Sequence, residues 1–279
     1  MIVGGILLTA QDAITKWLTS DYHAGEIMAY RGIFMLALVM AVLSWPRRGG
    51  GNRWPDLRPH RPGAVALRSA FAVAASATVV ISFAFLPLAE ALAVIFISPL
   101  MLTALSVPLL KEPVGWRRWS AVLVGFAGML LIVRPGGGNF GWFVLVPIAA
   151  AALGAGRDGI TRLIGTGETT LCLTFYMVLA SFAGGLASLG FGTHWPDLAD
   201  WGLFAAAGSL GFGAYYFTTR AFQIARAAAM SPFKYLSLIW GASLGYLVWG
   251  DVPDTLKIAG ATLVVASGLY TLHRETMNR

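Results

Sequence analysis

Ten apolar stretches of roughly 17–25 residues follow one another with only short polar interruptions, and that succession constrains the fold more than any other feature of the chain. They run at 1–18, 24–45, 64–86, 88–110, 116–134, 141–163, 169–190, 200–222, 228–249 and 254–272. At a helical rise of about 1.5 Å per residue, each is long enough to cross the roughly 30 Å hydrocarbon layer of a bilayer. Strands fit poorly, because the stretches do not alternate and lipid tolerates only helices or closed barrels. Charged residues make up 12% of the chain, against about a quarter in soluble domains. Lipid is therefore the expected solvent. The third and fourth stretches need a tight turn at Phe85-Leu86-Pro87-Leu88, and Pro87 and Glu90 support one.

Between the stretches the polar residues have a sidedness. The longest linker, Pro46 to Pro62, holds Arg47, Arg48, Arg53, Arg58 and Arg61. The loops after even-numbered helices, together with the C-terminus, carry fourteen lysines and arginines, Arg68, Arg162 and Arg220 among them; the opposite side carries Lys16, Arg134 and Lys257. The positive-inside rule then places both termini in the cytoplasm. The net charge of +7 sits in short loops, so nucleic acid is not an expected partner. The only cysteine is Cys172, and the four histidines have no metal-ligand spacing. No metal, cofactor or catalytic set is expected, and HExxH is lacking. The first stretch has neither a basic leader nor a cleavage site and reads as a retained helix.

Self-similarity organises the chain into halves. Asp12-Ala13-Ile14-Thr15-Lys16 matches Asp158-Gly159-Ile160-Thr161-Arg162, and Ala89-Glu90-Ala91-Leu92-Ala93 matches Ala225-Arg226-Ala227-Ala228-Ala229. Lys111-Glu112-Pro113 corresponds to Gly250-Asp251-Val252-Pro253, and Gly128-Met129-Leu130 to Gly268-Leu269-Tyr270. Residues 1–134 and 141–272 then hold five helices each, and an odd number inverts the second half in the membrane. Inverted repeats can exchange shapes, which puts a substrate site near the midplane between them. The offset places the counterpart of the start of helix 6 before Met1, so helix 1 is expected to be shortened by several residues.

The segments Pro108-Leu109-Leu110-Lys111-Glu112-Pro113 and Val248-Trp249-Gly250-Asp251-Val252-Pro253, each followed by a glycine-rich closing helix, resemble the paired EamA repeats of the drug/metabolite transporter superfamily. Within it the chain is similar to YddG-type amino-acid exporters. The resemblance implies a bacterial inner-membrane protein of ten helices that exports aromatic or other hydrophobic amino acids and related metabolites. A drug or sugar-phosphate/nucleotide-sugar transporter is the alternative, and the phosphate-bearing substrates would need more converging basic residues than Arg31, Arg157 and Lys234 supply. The oligomeric state stays open, and a monomer is compatible with all of this.

Charges inside apolar helices each cost about 2.5–3.5 kcal/mol on insertion scales, so they need partners or a wet cavity. Asp12 and Arg31 fall in one half of the membrane, and Arg157, Asp158 and Lys234 in the other. They are expected to form two gates, Asp12 with Arg31 and Asp158 with Lys234, with Arg157 facing substrate or closing the gate and static pairing as the competing reading; Arg31, Arg157 and Lys234 are also candidate cavity residues. Tyr30, Phe96, Tyr176, Tyr215, Tyr216, Tyr235 and Trp240 lie within helices, away from interfacial belts, and with Ser98 are candidates for an apolar, aromatic cavity that suits a zwitterion with a hydrophobic side chain. Packing alone also accounts for single aromatics. Pro99, Pro147 and Pro232 are expected hinges, and Gly241-x-x-x-Gly245 a close-packing motif.

Overall fold

The computed structural model describes residues 2–45, 54–110, 116–133, 141–191, 194–224, 240–241, 243–250 and 254–277. Eleven helices are labelled here: α1 (Ile2–Leu18), α2 (Ala24–Ser44), α3 (Pro62–Phe85), α4 (Leu88–Ile95), α5 (Ser98–Leu110), α6 (Trp116–Val133), α7 (Leu145–Ile164), α8 (Thr170–Ser188), α9 (Leu198–Ile224), α10 (243–249) and α11 (Thr255–Met277). No strand occurs among the described residues. With α4 and α5 sharing one span, these are the ten spans expected, and the chain is a polytopic all-α membrane protein. Ala24–Ser44, Pro62–Phe85, Trp142–Gly167 and Thr170–Ser188 are each long and apolar enough to cross a bilayer by length and composition. Outward-facing Ile2, Val3, Ile6, Leu123 and Leu247 are exposed, a surface that needs lipid around it.

Local chemistry sets the ends of these helices. His23 and Glu26 form a reciprocal capping box at the start of α2, Pro62 occupies the first turn of α3, and Thr169 caps α8 by accepting from the Cys172 N–H at 3.0 Å. Gly165 ends α7 at φ 57, in the left-handed region that glycine adopts without strain. The expected turn at Phe85–Leu88 is present: Leu86 closes α3 onto the Ser82 carbonyl and Pro87 opens α4. Lys16 holds that turn, its Nζ donating to the carbonyls of Phe83 (2.5 Å) and Leu86 (3.0 Å), the unpaired acceptors of a helix C-terminus.

The packing follows the repeat. With α1, α2, α3 and α6 set as counterparts of α7, α8, α9 and α11, exchanging the halves converts the α1–α9 packing into α7–α3, and α2–α9 into α8–α3. The α2–α8 and α6–α11 contacts map onto themselves. All of these packings are present, as two equivalent halves require. Close approach at the two self-symmetric contacts depends on glycine: a Cβ on Gly185 would fall 2.5 Å from the Ala29 nitrogen of α2, and one on Gly128 would fall 2.7 Å from the Gly260 oxygen of α11. Gly241 and Gly245 are both buried, Gly241 against Leu92 of α4.

The prolines act differently from simple mid-helix kinks. The 88–110 stretch breaks completely at Phe96–Ile97, and Pro99 is the second residue of α5, where a missing N–H costs no helical bond. Pro147 likewise occupies the first turn of α7, directly after a 3₁₀ turn at Trp142–Val144. Pro232 lies outside the described residues.

Candidate functional site

Two polar clusters share one sequence frame, the first within residues 1–134 and the second joining the two halves. Gln11-Asp12-Ala13-Ile14-Thr15 of α1 and Arg157-Asp158-Gly159-Ile160-Thr161 of α7 are repeat counterparts. In each, the first residue turns back on the aspartate that follows it. Gln11 Nε2 donates to Asp12 Oδ1 at 3.3 Å, while Arg157 Nε donates to Asp158 Oδ1 at 2.9 Å, with Nη2 at 2.8 Å. In each, the threonine four residues on receives a buried arginine from another helix. Arg31 of α2 donates from Nη1 to Thr15 Oγ1 (3.5 Å) and from Nη2 to Ser76 Oγ of α3 (2.6 Å). Arg68 of α3 donates from Nε to Thr161 Oγ1 (2.7 Å), from Nη1 to the Leu173 carbonyl (2.9 Å) and from Nη2 to Thr219 Oγ1 (2.9 Å).

Arg68 is thus a correction. Counted above among the loop arginines, it is the seventh residue of α3 and 2% exposed. At about 1.5 Å per residue, Asp12, Arg31, Asp158 and Arg68 all sit roughly 9–10 Å from the nearest end of their helices. The two clusters therefore lie at matching depths from opposite ends. Their hydrogen bonding does not match. Arg68 uses all three guanidinium nitrogens, whereas Arg31, 3% exposed, buries an Nε with no hydrogen-bond partner among the described residues. Gln11 also buries an orphan Oε1. No ion pair within 4 Å joins Asp12 to Arg31 among the described residues; Gln11 and Thr15 connect them, Gln11 Nε2 also donating to Thr15 Oγ1 at 3.1 Å.

A cavity with about 1340 Å³ of space free of protein atoms, open solvent at its mouth included, runs between these clusters. Asp12, Arg31, Phe96, Ser98, Pro99 and Arg157, all singled out in the sequence, line it. Gln11, Thr15, Ser76, Ser181 and Thr218 supply further polar lining, while Met35, Leu92, Met177, Tyr215 and Phe222 supply apolar walls. The other candidates sit elsewhere. Tyr30 belongs to an edge-to-face aromatic cluster with Tyr22, Trp201 and Phe204, and its hydroxyl donates to the His194 carbonyl at 3.0 Å. Tyr176 packs on Phe175 and Tyr216 on Phe212. Trp240 is 49% exposed. Asp158 is buried behind Arg157. Lys234 and Tyr235 lie outside the described residues.

A second repeat-related pair ties loops to the bundle. Glu26, buried at the start of α2, accepts from the His194 backbone N–H at 2.5 Å. Glu168, buried just before α8, accepts from the Arg61 N–H at 2.6 Å and faces His60 Nδ1 at 3.5 Å. Each carboxylate thus holds the segment entering the third helix of the opposite half, His60-Arg61-Pro62 or His194-Trp195-Pro196. The spacing of His-x-Pro ahead of two equivalent helices is the signal that would have found this pair. The unused signal for Gln11 is that it immediately precedes the matched Asp12 as Arg157 precedes Asp158.

Comparison with known proteins agrees with this architecture. The EamA-like transporter family matches residues 1–134 and again 141–272, and the chain belongs to that family. It is 29% identical over 278 residues to a riboflavin transporter of Rhizobium johnstonii, covering 99% of this chain and 90% of that one. An S-adenosylmethionine uptake transporter of Rickettsia prowazekii is 26% identical over 267 residues, 95% of this chain and 88% of that one. The pseudopaline exporter CntI of Pseudomonas aeruginosa is 28% identical over 193 residues, 67% of this chain and 66% of that one. A protein of known crystal structure superposes with a TM-score of 0.71 at 18% identity, over 100% of this chain and 98% of the other, a likeness of fold alone. The family and these relatives make the chain a small-molecule transporter. They do not single out the amino-acid exporters.

Proposed function

We propose that this transporter moves an amphipathic metabolite with an amino-acid head, a hydrophobic amino acid or a larger molecule built on one, by alternating access between two inverted repeats at 1–134 and 141–272. The observation that carries this reading is the cavity between the halves, with apolar and aromatic walls and a polar end that combines the acid Asp12 with the base Arg31. A carboxylate suits Arg31 and an ammonium suits Asp12, while Phe96, Met35 and Phe222 accept the apolar body. Hydrophobic amino-acid export is the simplest case. The relatives named for S-adenosylmethionine fit the same head group, and uptake as their direction.

Asp12 with Arg31 at one end, and Asp158 with Arg157, Arg68 and Lys234 at the other, act as the two closures. Both termini lie in the cytoplasm of a bacterium and the protein in its inner membrane. Phosphate-bearing substrates are disfavoured, because Arg157 is neutralised by Asp158 at 2.8 Å and Arg31 shares its cluster with Asp12. A neutral flat heterocycle is the second reading, favoured by the riboflavin transporter that matches 99% of the chain. Flux into proteoliposomes of labelled tryptophan, phenylalanine, S-adenosylmethionine and riboflavin tests these readings. Saturable flux of an amino-acid-headed compound is expected. Flux of riboflavin alone replaces the first reading by the second, and flux of none refutes both.

A further inference from the structure

Position 11 is where the two clusters part company: the same frame carries a neutral glutamine in α1 and a cationic arginine in α7. At the second cluster every guanidinium nitrogen of Arg68 is engaged by protein. At the first, two residues of the cavity wall each bury one polar atom that has no hydrogen-bond partner among the described residues. One is a donor, Arg31 Nε, and the other an acceptor, Gln11 Oε1. Gln11 is 2% exposed and its amide nitrogen is fully committed, to Asp12 Oδ1 and Thr15 Oγ1. That fixes the amide plane and leaves only the oxygen for something else. Unmet buried polar groups are rare, because each costs about 1–3 kcal/mol. A complementary pair of them on the wall of a transport cavity has the form of a recognition site.

We infer that Gln11 and Arg31 are the specificity-determining pair of the cavity: Gln11 Oε1 accepts from, and Arg31 Nε donates to, one edge of the transported molecule on which an N–H stands beside an oxygen acceptor. This rests on the proposed function and sharpens it. An ammonium beside a carboxylate has that edge, and so has the imide of a flavin ring. A phosphate or a plain carboxylate lacks the donor that Gln11 requires. Asp12, adjacent and lining the same wall, adds to the preference for a donor. Discrimination of this kind is strong, because a ligand lacking the N–H leaves the buried Gln11 oxygen unmet.

The test is equilibrium binding to the full-length protein in lipid nanodiscs. The probes are tryptophan and riboflavin, each compared with a blocked form that has no N–H at that edge (the desamino analogue indole-3-propionate, and 3-methylriboflavin), and S-adenosylmethionine. The expected result is that wild type binds at least one probe and prefers the unblocked form by about tenfold or more. Gln11→Met should erase that preference while its thermal midpoint stays near wild type, and Arg31→Lys should weaken binding of both forms. Gln11→Met binding with the preference intact overturns the inference and leaves the proposed function standing. Wild type binding an unblocked and a blocked form equally also overturns it, which keeps the test decisive should Gln11→Met fail to fold. Wild type binding no probe overturns the inference and the proposed substrate class together.

Discussion

Replacing Arg68 by methionine tests whether a charge buried roughly 9 Å inside the bundle is a structural staple. Its guanidinium joins α3 to three other helices through hydrogen bonds of 2.7, 2.9 and 2.9 Å. Bonds to a charged donor contribute about 1.5–3 kcal/mol each, and burying the charge costs several kcal/mol in return. The acceptors are not stranded when it goes, since Thr161 Oγ1 already donates to the Arg157 carbonyl at 2.8 Å. The net loss should be about 2–4 kcal/mol, a fall of about 10 °C in thermal midpoint for a chain of this size. Arg68→Lys should be no better, because one ammonium cannot reach acceptors on three helices, and the charge stays buried with fewer partners. The lone thiol, Cys172, is fully buried at the start of α8, so its labelling by a thiol-reactive fluorophore on heating reports the unfolding directly. A midpoint within about 1 °C of wild type for Arg68→Met, or full stability for Arg68→Lys, would refute the staple.

Reporter domains fused after Arg279 and inserted near Gly50 should both read as cytoplasmic; a periplasmic signal at either site rules out the even number of spans with termini on one side. Glu168→Ala removes the acceptor of the Arg61 N–H and should cost about 1–3 kcal/mol, with hydrogen exchange rising in residues 54–61; unchanged exchange there would show that the loop is held by other contacts. Tyr22, in the α1–α2 turn, is buried, its hydroxyl donates to Asp200 at 2.7 Å, and Asp200, Asp197 and Asp21 surround it with negative charge, so its phenol is pushed up from its ordinary value of 10.0. The protonated form is favoured by folding, so this contribution is complete below about pH 10 and is lost as pH rises further. Tyr22→Phe should lose about 1 kcal/mol at neutral pH and show a shallower alkaline decline in thermal midpoint than wild type; parallel declines would exclude Tyr22 as the group responsible.

The spans and the twofold plan were legible because lipid leaves a long, coarse signal. Twenty apolar residues in a row read the same whatever they touch, and the Asp12 and Asp158 matches survive because a short polar motif stands out in an apolar helix. Contacts were less legible. Arg68 looks like a loop residue from its distance to Pro62 alone, since nothing nearby announces that Thr161 and Thr219, on two other helices, receive it. The aromatics divided for the opposite reason, Phe96 and Tyr215 lining the cavity and Tyr30, Tyr176 and Tyr216 packing elsewhere. Phe96 and Tyr30 are equally apolar and equally deep in their stretches, yet only Phe96 lines the cavity, because which face of a helix meets the cavity depends on the crossing partner. Pro99 reads from sequence as a mid-helix hinge, but a proline cannot say whether the chain bends or breaks there. The break two residues upstream puts Phe96 just after α4 and Ser98 at the start of α5, both on the cavity wall.

The difference between the two arginine clusters carries the last prediction. If the halves exchange shapes during transport, the counterparts Thr15 and Thr161 must exchange environments, although the arginines that reach them, Arg31 on α2 and Arg68 on α3, are not counterparts of each other. The shared frame makes this reversal cheap, because Thr15 and Thr161 present the same hydroxyl at the same depth from opposite ends. Thr161→Val deletes the shortest of the Arg68 bonds, 2.7 Å, and destabilises the state described here by about 1–2 kcal/mol. Thr15→Val deletes the long 3.5 Å bond from Arg31 together with the 3.1 Å bond from Gln11; the Arg31 share costs this state little while penalising the opposite state by the larger amount. The two substitutions should therefore shift the conformational equilibrium about tenfold in opposite directions. In a Cys172→Ser background, a cysteine at Ser98 on the cavity wall reports that shift by its labelling rate from each side of sealed vesicles. Opposite changes in the two rates support exchange between the clusters. Changes of the same sign for both substitutions, or loss of thermal stability with unchanged labelling, would make the clusters static packing elements and leave the exchange of shapes to other residues.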